Sequence, residues 1–178
     1  VIGAAIPGWN VPNGDLDYLG PFWSPSSGVH AIDLHGIRVG AIEQTFATSI
    51  GSRYSVLFDL GASGHTMTTE LTANELRSPE FSHSGPAHPQ VSYGLDKRWE
   101  FVATAASTTL RFNSTTTVGG VANGPHIDNV RVFAMGPVVD ASLEIFGAGC
   151  AGSAGTPVLS HSTLPVPGTA FSIQVDTI

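Results

Sequence analysis

The stretch that decides the fold is Gly40–Leu60, which reads GAIEQTFATSIGSRYSVLFDL. In its first half, Ile42 and Phe46 share one face and the other face is small or polar. A period of two is typical of a half-buried β-strand, because successive side chains leave opposite faces. The second half alternates in the same way from Tyr54 onward, and Gly51 between the halves is free to take the positive φ of a tight turn. We therefore expect two strands that form a central hairpin.

The rest of the chain has the composition of an all-β protein. Its 178 residues are enough for a domain with its own core, and 21 Gly and 12 Pro divide the apolar runs into short pieces. Further strands are expected over DLDYL (15–19), HAIDL (30–34), HTMTTELTA (65–73), RWEFVATA (98–105), TTLRFN (108–113) and IDNVRVF (127–133). Residues 98–113 should form a second hairpin, and no segment keeps a helical period. The predicted fold is an all-β antiparallel sandwich with almost no helix.

Charge and hydropathy exclude several classes of function. The formal net charge is -7 and only 12% of residues are charged, which argues against binding to nucleic acid or to an anionic membrane surface. No run of 18 apolar residues is present, so no transmembrane helix is expected. Few Lys, many Ser, Thr and Gly, and a single Cys150 that has no internal disulfide partner fit an exported protein.

Aromatic residues in expected loops are the candidates for sugar binding, because aromatic rings stack on the faces of pyranose rings. They are Trp9, Phe22, Trp23 and Tyr93. The alternative is that large aromatics close the ends of the sandwich core. Core packing is favoured for Trp9, whereas the two interpretations stay open for Trp23.

A series of motifs in the first three quarters of the chain resembles a known family. The motifs are IPGWNV (6–11), DLDYLG (15–20), FW (22–23), HAIDLHG (30–36), GAIEQTFAT (40–48), YSVLFDLGA (54–62), WEFVATAASTTLRF (99–112) and GPHIDNVRVF (124–133). In this order they resemble the DUF642-like, choice-of-anchor C domains of secreted bacterial proteins, which are similar to galactose-binding-like jelly rolls. The resemblance implies an extracellular, non-catalytic jelly roll over residues 1–135, and some relatives bind cell-wall polysaccharide. Relatives begin with an earlier strand, so the sandwich is expected to lack its first strand.

The same resemblance implies one candidate cofactor, since galactose-binding-like folds often carry a structural Ca²⁺ ion. Its candidate ligands are Asp17, Asp33 and Asp128, whose carboxylates suit that ion. No DxDxDG loop is present, and the favoured alternative is that Asp128 caps a turn through nearby backbone. His83 and His88 are a weaker metal pair, for which solvated loop histidines are the favoured alternative.

The C-terminal residues 136–178 are expected to form a partial β domain or a donated strand. Phe171, Ile173 and Val175 alternate with polar residues, as a strand requires. An open sheet edge is a template for strand addition, so this strand could fill the gap in a neighbouring copy and build a filament. Pairing within its own chain is the equally weighted alternative.

Two functions follow from these observations. The first is a non-catalytic extracellular structural module of a bacterial surface or filament, which self-associates through its sheet edges. The alternative is a carbohydrate-binding module, with Phe22, Trp23 and Tyr93 against polysaccharide. An enzyme is not expected, because residues 61–65 lack the GxSxG spacing of a nucleophile elbow and no pair of acids stands out.

Overall fold

The computed structural model describes residues 6–118 and 122–138, together with two further strands, Val158–His161 and Ile173–Asp176. The chain divides into two compact units, Val1–Val138 and Val139–Ile178. In the described part of the first unit two antiparallel sheets form a sandwich. Its one helical element there is the 3₁₀ turn Pro21–Trp23. The all-β prediction is confirmed. No helix among the described residues is both long and apolar enough to cross a membrane.

The strands of the first unit follow in chain order. They are β1 (Asn10–Asn13), β2 (Asp17–Leu19), β3 (Ala31–Asp33), β4 (Ala41–Ala47), β5 (Ser52–Ala62), β6 (Thr66–Ala73), β7 (Leu76–Arg77), β8 (Phe81–Ser84), β9 (Ser92–Val102), β10 (Ser107–Ser114) and β11 (His126–Pro137). Sheet A has the order β1-β4-β10-β6-β7, and β8 also pairs with β6. Sheet B has the order β2-β3-β11-β5-β9.

The two predicted hairpins are wrong, although their strands are present. β4 pairs with β1 and β10 in sheet A, whereas β5 pairs with β11 and β9 in sheet B. The turn with Gly51 at φ 77 therefore carries the chain from one sheet to the other. β9 and β10 are separated between the sheets in the same way. A period-two pattern shows which face of a strand is buried, and it does not identify the strand beside it.

The core lies between the inner faces of the two sheets. Phe58 of β5 meets Phe112 of β10 edge to face, with 5.1 Å between ring centroids, and both rings are fully buried. Tyr54 stacks on Phe101 at 5.5 Å. Each fully buried aromatic or aliphatic side chain of this kind stabilises the fold by about 1.5–3 kcal/mol. The residues that alternate inward in the sequence are thus the core residues, as predicted.

β11 departs from strict alternation, which would place Ile127, Asn129, Arg131 and Phe133 on one face. The pairing of β11 with β5 shifts register between Asp128 and Arg131, and Asn129 sits at φ 51. This irregularity reverses the faces. Ile127 is buried, and Val130, which is one position out of phase with Ile127 in a period of two, also packs against the core.

Residues 74–93 lie outside the predicted strands, and they contain two short strands, β7 and β8, both paired with β6. β9 begins at Ser92 and so includes Tyr93, which was expected in a loop. β5 continues to Ala62, two residues beyond the stretch that ends at Leu60.

In the second unit, β12 (Val158–His161) and β13 (Ile173–Asp176) pair antiparallel with each other. Ile173 and Val175 therefore lie in a strand whose partner belongs to the same chain, opposite His161 and Leu159. Phe171 and Cys150 lie outside the described residues. The first unit ends at Val138, three residues beyond the predicted boundary at 135.

Candidate functional site

A pocket of about 230 Å³ opens where the 3₁₀ turn, β2, β3 and the start of β11 come together. Its wall includes Asp17, Trp23, Asp33, His88, Asn123 and His126. These residues are spread over more than a hundred positions of sequence, and the sandwich brings them to one place. We call this cavity the end pocket.

Trp23 is an aromatic residue of the end pocket wall, and Phe22 packs against it. Pro21 starts the 3₁₀ turn that carries them, and Ser24 ends it at φ 46. The two rings meet edge to face with 5.2 Å between centroids, and Phe22 remains 75% exposed. Trp23 is half-buried and lies outside the core cluster. Exposed aromatic surface beside polar groups is the combination that binds a ring with one apolar face and peripheral hydroxyls.

The loop after Trp23 is fixed by a cluster of carboxylates. Ser26 Oγ lies 2.8 Å from Asp59 Oδ2 and 2.9 Å from Asp128 Oδ2. The Ser27 N–H donates to Asp128 Oδ2 at 2.9 Å, and the Asn129 side chain donates to Asp59 at 3.1 Å. Asp59 of β5 and Asp128 of β11 thus hold the loop that follows Trp23, and this contact restricts the orientation of the aromatic pair.

The polar base of the end pocket is a buried pair, Asp33 and His126, each 2% exposed. Their nearest atoms, Asp33 Oδ2 and His126 Nε2, are 3.8 Å apart. Burial raises the pKa of Asp33 to about 7, although N–H donors of His35 and Gly124 at 2.8 and 3.0 Å act in the opposite direction. Burial lowers the pKa of His126 to about 4. At neutral pH the histidine is therefore uncharged and the carboxyl is close to its titration midpoint.

Tyr93 lies behind this pair and is absent from the wall of the end pocket. Its ring is 6.4 Å from that of His126, and a Cβ on Gly61 would lie only 2.6 Å from it. Burial raises the pKa of Tyr93, with a further contribution from the carboxylates of Asp128 and Asp59. The phenol is a packing element of sheet B, and the prediction that it faces a sugar does not match this position.

The two loop histidines have different surroundings. His88 Nδ1 lies 3.3 Å from Ser63 Oγ, and its ring is 5.5 Å from that of Trp23. His83 Nε2 lies 3.0 Å from Ser92 Oγ, and burial, followed by the charge of Lys97, lowers its pKa. His88 is thus part of the end pocket, and His83 is not on its wall.

The family described as "Protein of unknown function (DUF642)" matches residues 2–133. These residues include every residue named in the wall of the end pocket and both sheets, except for the last four residues of β11. The chain belongs to the DUF642 family. The family resemblance stated from the motifs is thereby confirmed.

A curated relative of this DUF642 domain is Halomucin from Haloquadratum walsbyi, which is 30% identical over 139 residues. That alignment covers 78% of this chain and 2% of Halomucin, so the chain spans a small fraction of the curated relative it matches.

Among solved structures, the DUF642 domain is similar to family 35 carbohydrate-binding modules. The module from Clostridium thermocellum is 17% identical, with 70% of this chain and 91% of that chain covered and a TM-score of 0.49. The module from an environmental isolate is 14% identical, with 78% and 97% covered and a TM-score of 0.49. The module from Paenibacillus barcinonensis is 19% identical, with 72% and 94% covered and a TM-score of 0.46. These are likenesses of fold, and they assign no ligand to the chain.

The three predicted calcium ligands of the DUF642 domain do not share one place. Asp17 and Asp33 line the end pocket, whereas Asp128 contacts Ser26 and Ser27 and accepts the Asn129 N–H at 2.7 Å. The last contact is the turn cap that was the alternative for Asp128. Within the described residues no three His, Cys, Asp or Glu side chains group as metal ligands. A structural Ca²⁺ ion stays a prediction from the resemblance.

Trp9, the remaining aromatic candidate, packs against the core, with 6.4 Å between its ring and that of Phe112. Two residues of the end pocket, Asn123 and His126, were not singled out from the sequence. His126 is the first residue of β11 and directly precedes the buried Ile127. A histidine next to apolar residues at the start of a predicted strand is a signal that could have identified it.

Proposed function

We infer that this DUF642 domain is a non-catalytic carbohydrate-binding module, and that the end pocket takes a sugar ring against Trp23 and Phe22. The observation that supports this most strongly is the aromatic pair itself, which lies beside hydrogen-bonding groups. The loop that follows the pair is held by contacts of Ser26 with the carboxylates of Asp59 and Asp128. The indole face would take the apolar face of the ring. Asp17, Asn123 and His88 would accept or donate hydrogen bonds at its rim.

The size of the end pocket suits one or two sugar rings better than a long chain. A volume of about 230 Å³ is below the usual range of drug-sized clefts, and the exposed Phe22 beside Trp23 would be free to contact a second ring. The proposed mode is therefore recognition of a chain end or of a side branch.

The experiment is retention on insoluble polysaccharide by the Trp23→Ala variant, compared with the unchanged domain on a panel that includes cellulose and chitin. Loss of a central stacking aromatic costs about 2 kcal/mol or more, which is about thirtyfold in Kd. Trp9→Ala is the matched control. Because Trp9 packs on the core, this variant should lose folding stability, and any loss of retention should accompany that loss of stability. If Trp23→Ala retained full binding and lost stability, Trp23 would be a core residue and the proposal would fail.

Catalysis and location form part of the same proposal. A binding module releases no reducing ends from the polysaccharide it retains, which a reducing-sugar assay measures directly. We also propose an extracellular location, which the composition and the resemblance to secreted domains support. Fractionation of the native host tests this location, and finding the protein in the cytoplasmic fraction would contradict it.

A second proposal is a structural module that self-associates by donation of its C-terminal strand. Its support is β13, a strand with one edge paired to β12 and with no strand partner at the other edge among the described residues. An unpaired edge accepts or donates strands. Light scattering before and after deletion of residues 170–178 tests this proposal.

A further inference from the structure

A groove of about 820 Å³ crosses the outer face of sheet A, away from the end pocket, and no residue lines both cavities. Its floor is formed by outward side chains of β4, β10, β6 and β7. In the registered pairs Glu43 lies opposite Arg111, Arg111 opposite Thr72, and Thr72 opposite Arg77. Neighbouring strands are about 4.8 Å apart, so this row runs about 14 Å across the sheet. The row is therefore long enough to contact several successive units of an extended chain.

The charges in the groove are neutralised within it. Arg111 donates to Glu43 Oε2 through Nε at 2.7 Å and Nη2 at 2.6 Å, and Arg77 donates to Glu70 Oε1 at 2.6 Å. Glu75 also lines the groove, so three Glu and two Arg give a net charge of -1. Because both guanidinium groups are already paired and the balance is negative, an anionic polymer would be repelled.

The remaining lining groups are hydroxyls and carboxamides. Thr72 and Asn113 lie at the centre of the groove, on β6 and β10. Glu43 and Glu70 have 18% and 24% of their side chains exposed, so the ion pairs hold acceptors in fixed positions at the groove floor. Among the residues that the structure describes, no aromatic side chain lines the groove. Such a surface recognises a ligand through in-plane hydrogen bonds, and it offers nothing to a flat apolar face.

We propose that the groove on sheet A is a second binding site, which takes one extended, uncharged polysaccharide chain through its hydroxyl groups. The volume lies within the range of ligand-sized clefts, and the row of paired Glu and Arg with flanking Thr and Asn supplies alternating donors and acceptors along it. The site is independent of Trp23, because its residues belong to sheet A and those of the end pocket to the other sheet and its loops. One domain would then bind a polysaccharide chain along the groove and a terminal sugar ring in the end pocket.

The test is affinity gel electrophoresis of the full chain in gels that contain hydroxyethylcellulose, laminarin or β-1,4-galactan, with polygalacturonic acid as the anionic comparison. Trp23→Ala removes the end pocket and should leave retardation by at least one neutral polymer. Adding Thr72→Ala and Asn113→Ala to it removes two central hydrogen-bonding groups and should weaken the remaining affinity about tenfold. The matched control is Thr66→Ala with Ser84→Ala, which removes a hydroxyl pair of sheet A outside the groove and should change nothing.

Polygalacturonic acid should not retard the chain. The inference is overturned if the groove variant is retarded as strongly as its parent, or if no neutral polymer retards the Trp23→Ala variant. In the first case, weaker retardation of the Trp23→Ala variant than of the unchanged chain would leave the proposed function of the end pocket intact. In the second case, retardation of the unchanged chain that Trp23→Ala abolishes would do so. Retardation by none of the polymers, together with no retention on insoluble polysaccharide, would remove both.

Discussion

Replacing Asp33 by Asn should add a dependence on pH to the stability of the first unit, which the buried pair of the unchanged protein does not contribute. The reason is the buried pair at the base of the end pocket. Burial raises the pKa of Asp33 from 3.8 to about 7 and lowers the pKa of His126 from 6.5 to about 4. The two shifts have opposite effects on proton binding, and in the unchanged protein they compensate.

The compensation follows from counting protons. Between about pH 4 and 6.5, the unfolded chain carries one proton on this pair, on the histidine, and the folded chain also carries one, on the carboxyl. Stability changes with pH only where the folded and unfolded states bind different numbers of protons. The pair therefore contributes no slope in this range, whichever of its two groups holds the shared proton in the folded state.

Asp33→Asn removes one half of this balance with little change in shape. The new side chain keeps an oxygen that can accept the N–H groups of His35 and Gly124. His126 then acts alone, and because its pKa is lower in the folded state, its contribution is complete above pH 6.5 and is lost as pH falls towards 4. The free energy of unfolding should fall by about 1.4 kcal/mol per pH unit, or about 3 kcal/mol in total, relative to the unchanged protein.

His126→Gln is the reciprocal variant. It leaves Asp33, whose pKa is raised in the folded state, so its contribution is complete below pH 3.8 and is lost as pH rises to about 7. The slope should have the opposite sign, with a total of about 4 kcal/mol. The double variant should again be insensitive, which separates this effect from general acid destabilisation.

The assay is urea unfolding followed by tryptophan fluorescence, in steps from about pH 4.5 to 8. The chain has three Trp, at positions 9, 23 and 99, and all belong to the first unit, so the signal reports that unit alone. Parallel stability curves for Asp33→Asn and the unchanged protein would refute the reasoning, since they would mean that the two groups titrate normally in the fold.

Three further predictions concern the loop anchor, calcium and assembly. Ser26→Ala should cost about 1 kcal/mol of unfolding free energy in urea and weaken polysaccharide retention, because the loop behind Trp23 loses a hydroxyl held by two carboxylates; unchanged retention would show that the loop needs no such anchor. The calcium ion implied by the resemblance should raise the midpoint of thermal unfolding in CaCl₂ over that in EGTA, and equal midpoints would exclude it. Deleting residues 170–178 should reduce the particle mass measured by light scattering if the strand is donated between copies, and an unchanged mass would exclude donation.

The strands and the core of this domain could be predicted from the sequence because burial leaves a direct record in residue type. Tyr54 and Phe58 point inward as their alternation indicates. Residue type does not indicate which strands pair. The single buried face of β4 is equally compatible with β5 beside it in one sheet and with β5 across the core in the other sheet. The short connection through Gly51 favoured a hairpin locally, and the competition among all strands for partners decided otherwise.

The candidate site was predictable only in its exposed part. Phe22 and Trp23 stand out because aromatics between Pro and Gly residues seldom lie in strands. The buried polar part was hidden, since an Asp such as Asp59 inside an alternating strand reads as a solvent-facing residue. It is 2% exposed because loop residues from elsewhere in the chain cover it and supply its hydrogen bonds. Such coverage depends on tertiary structure, and no local pattern encodes it.

The most direct test of the central claim uses the indole N–H signals of the three tryptophans in an NMR titration with an oligosaccharide fragment of a retained polysaccharide. The account predicts that the Trp23 signal shifts with saturation, while those of Trp9 and Trp99, which pack in the core, stay in place. A fragment that binds the domain and leaves the Trp23 signal unchanged would contradict the assignment of the end pocket as the sugar site.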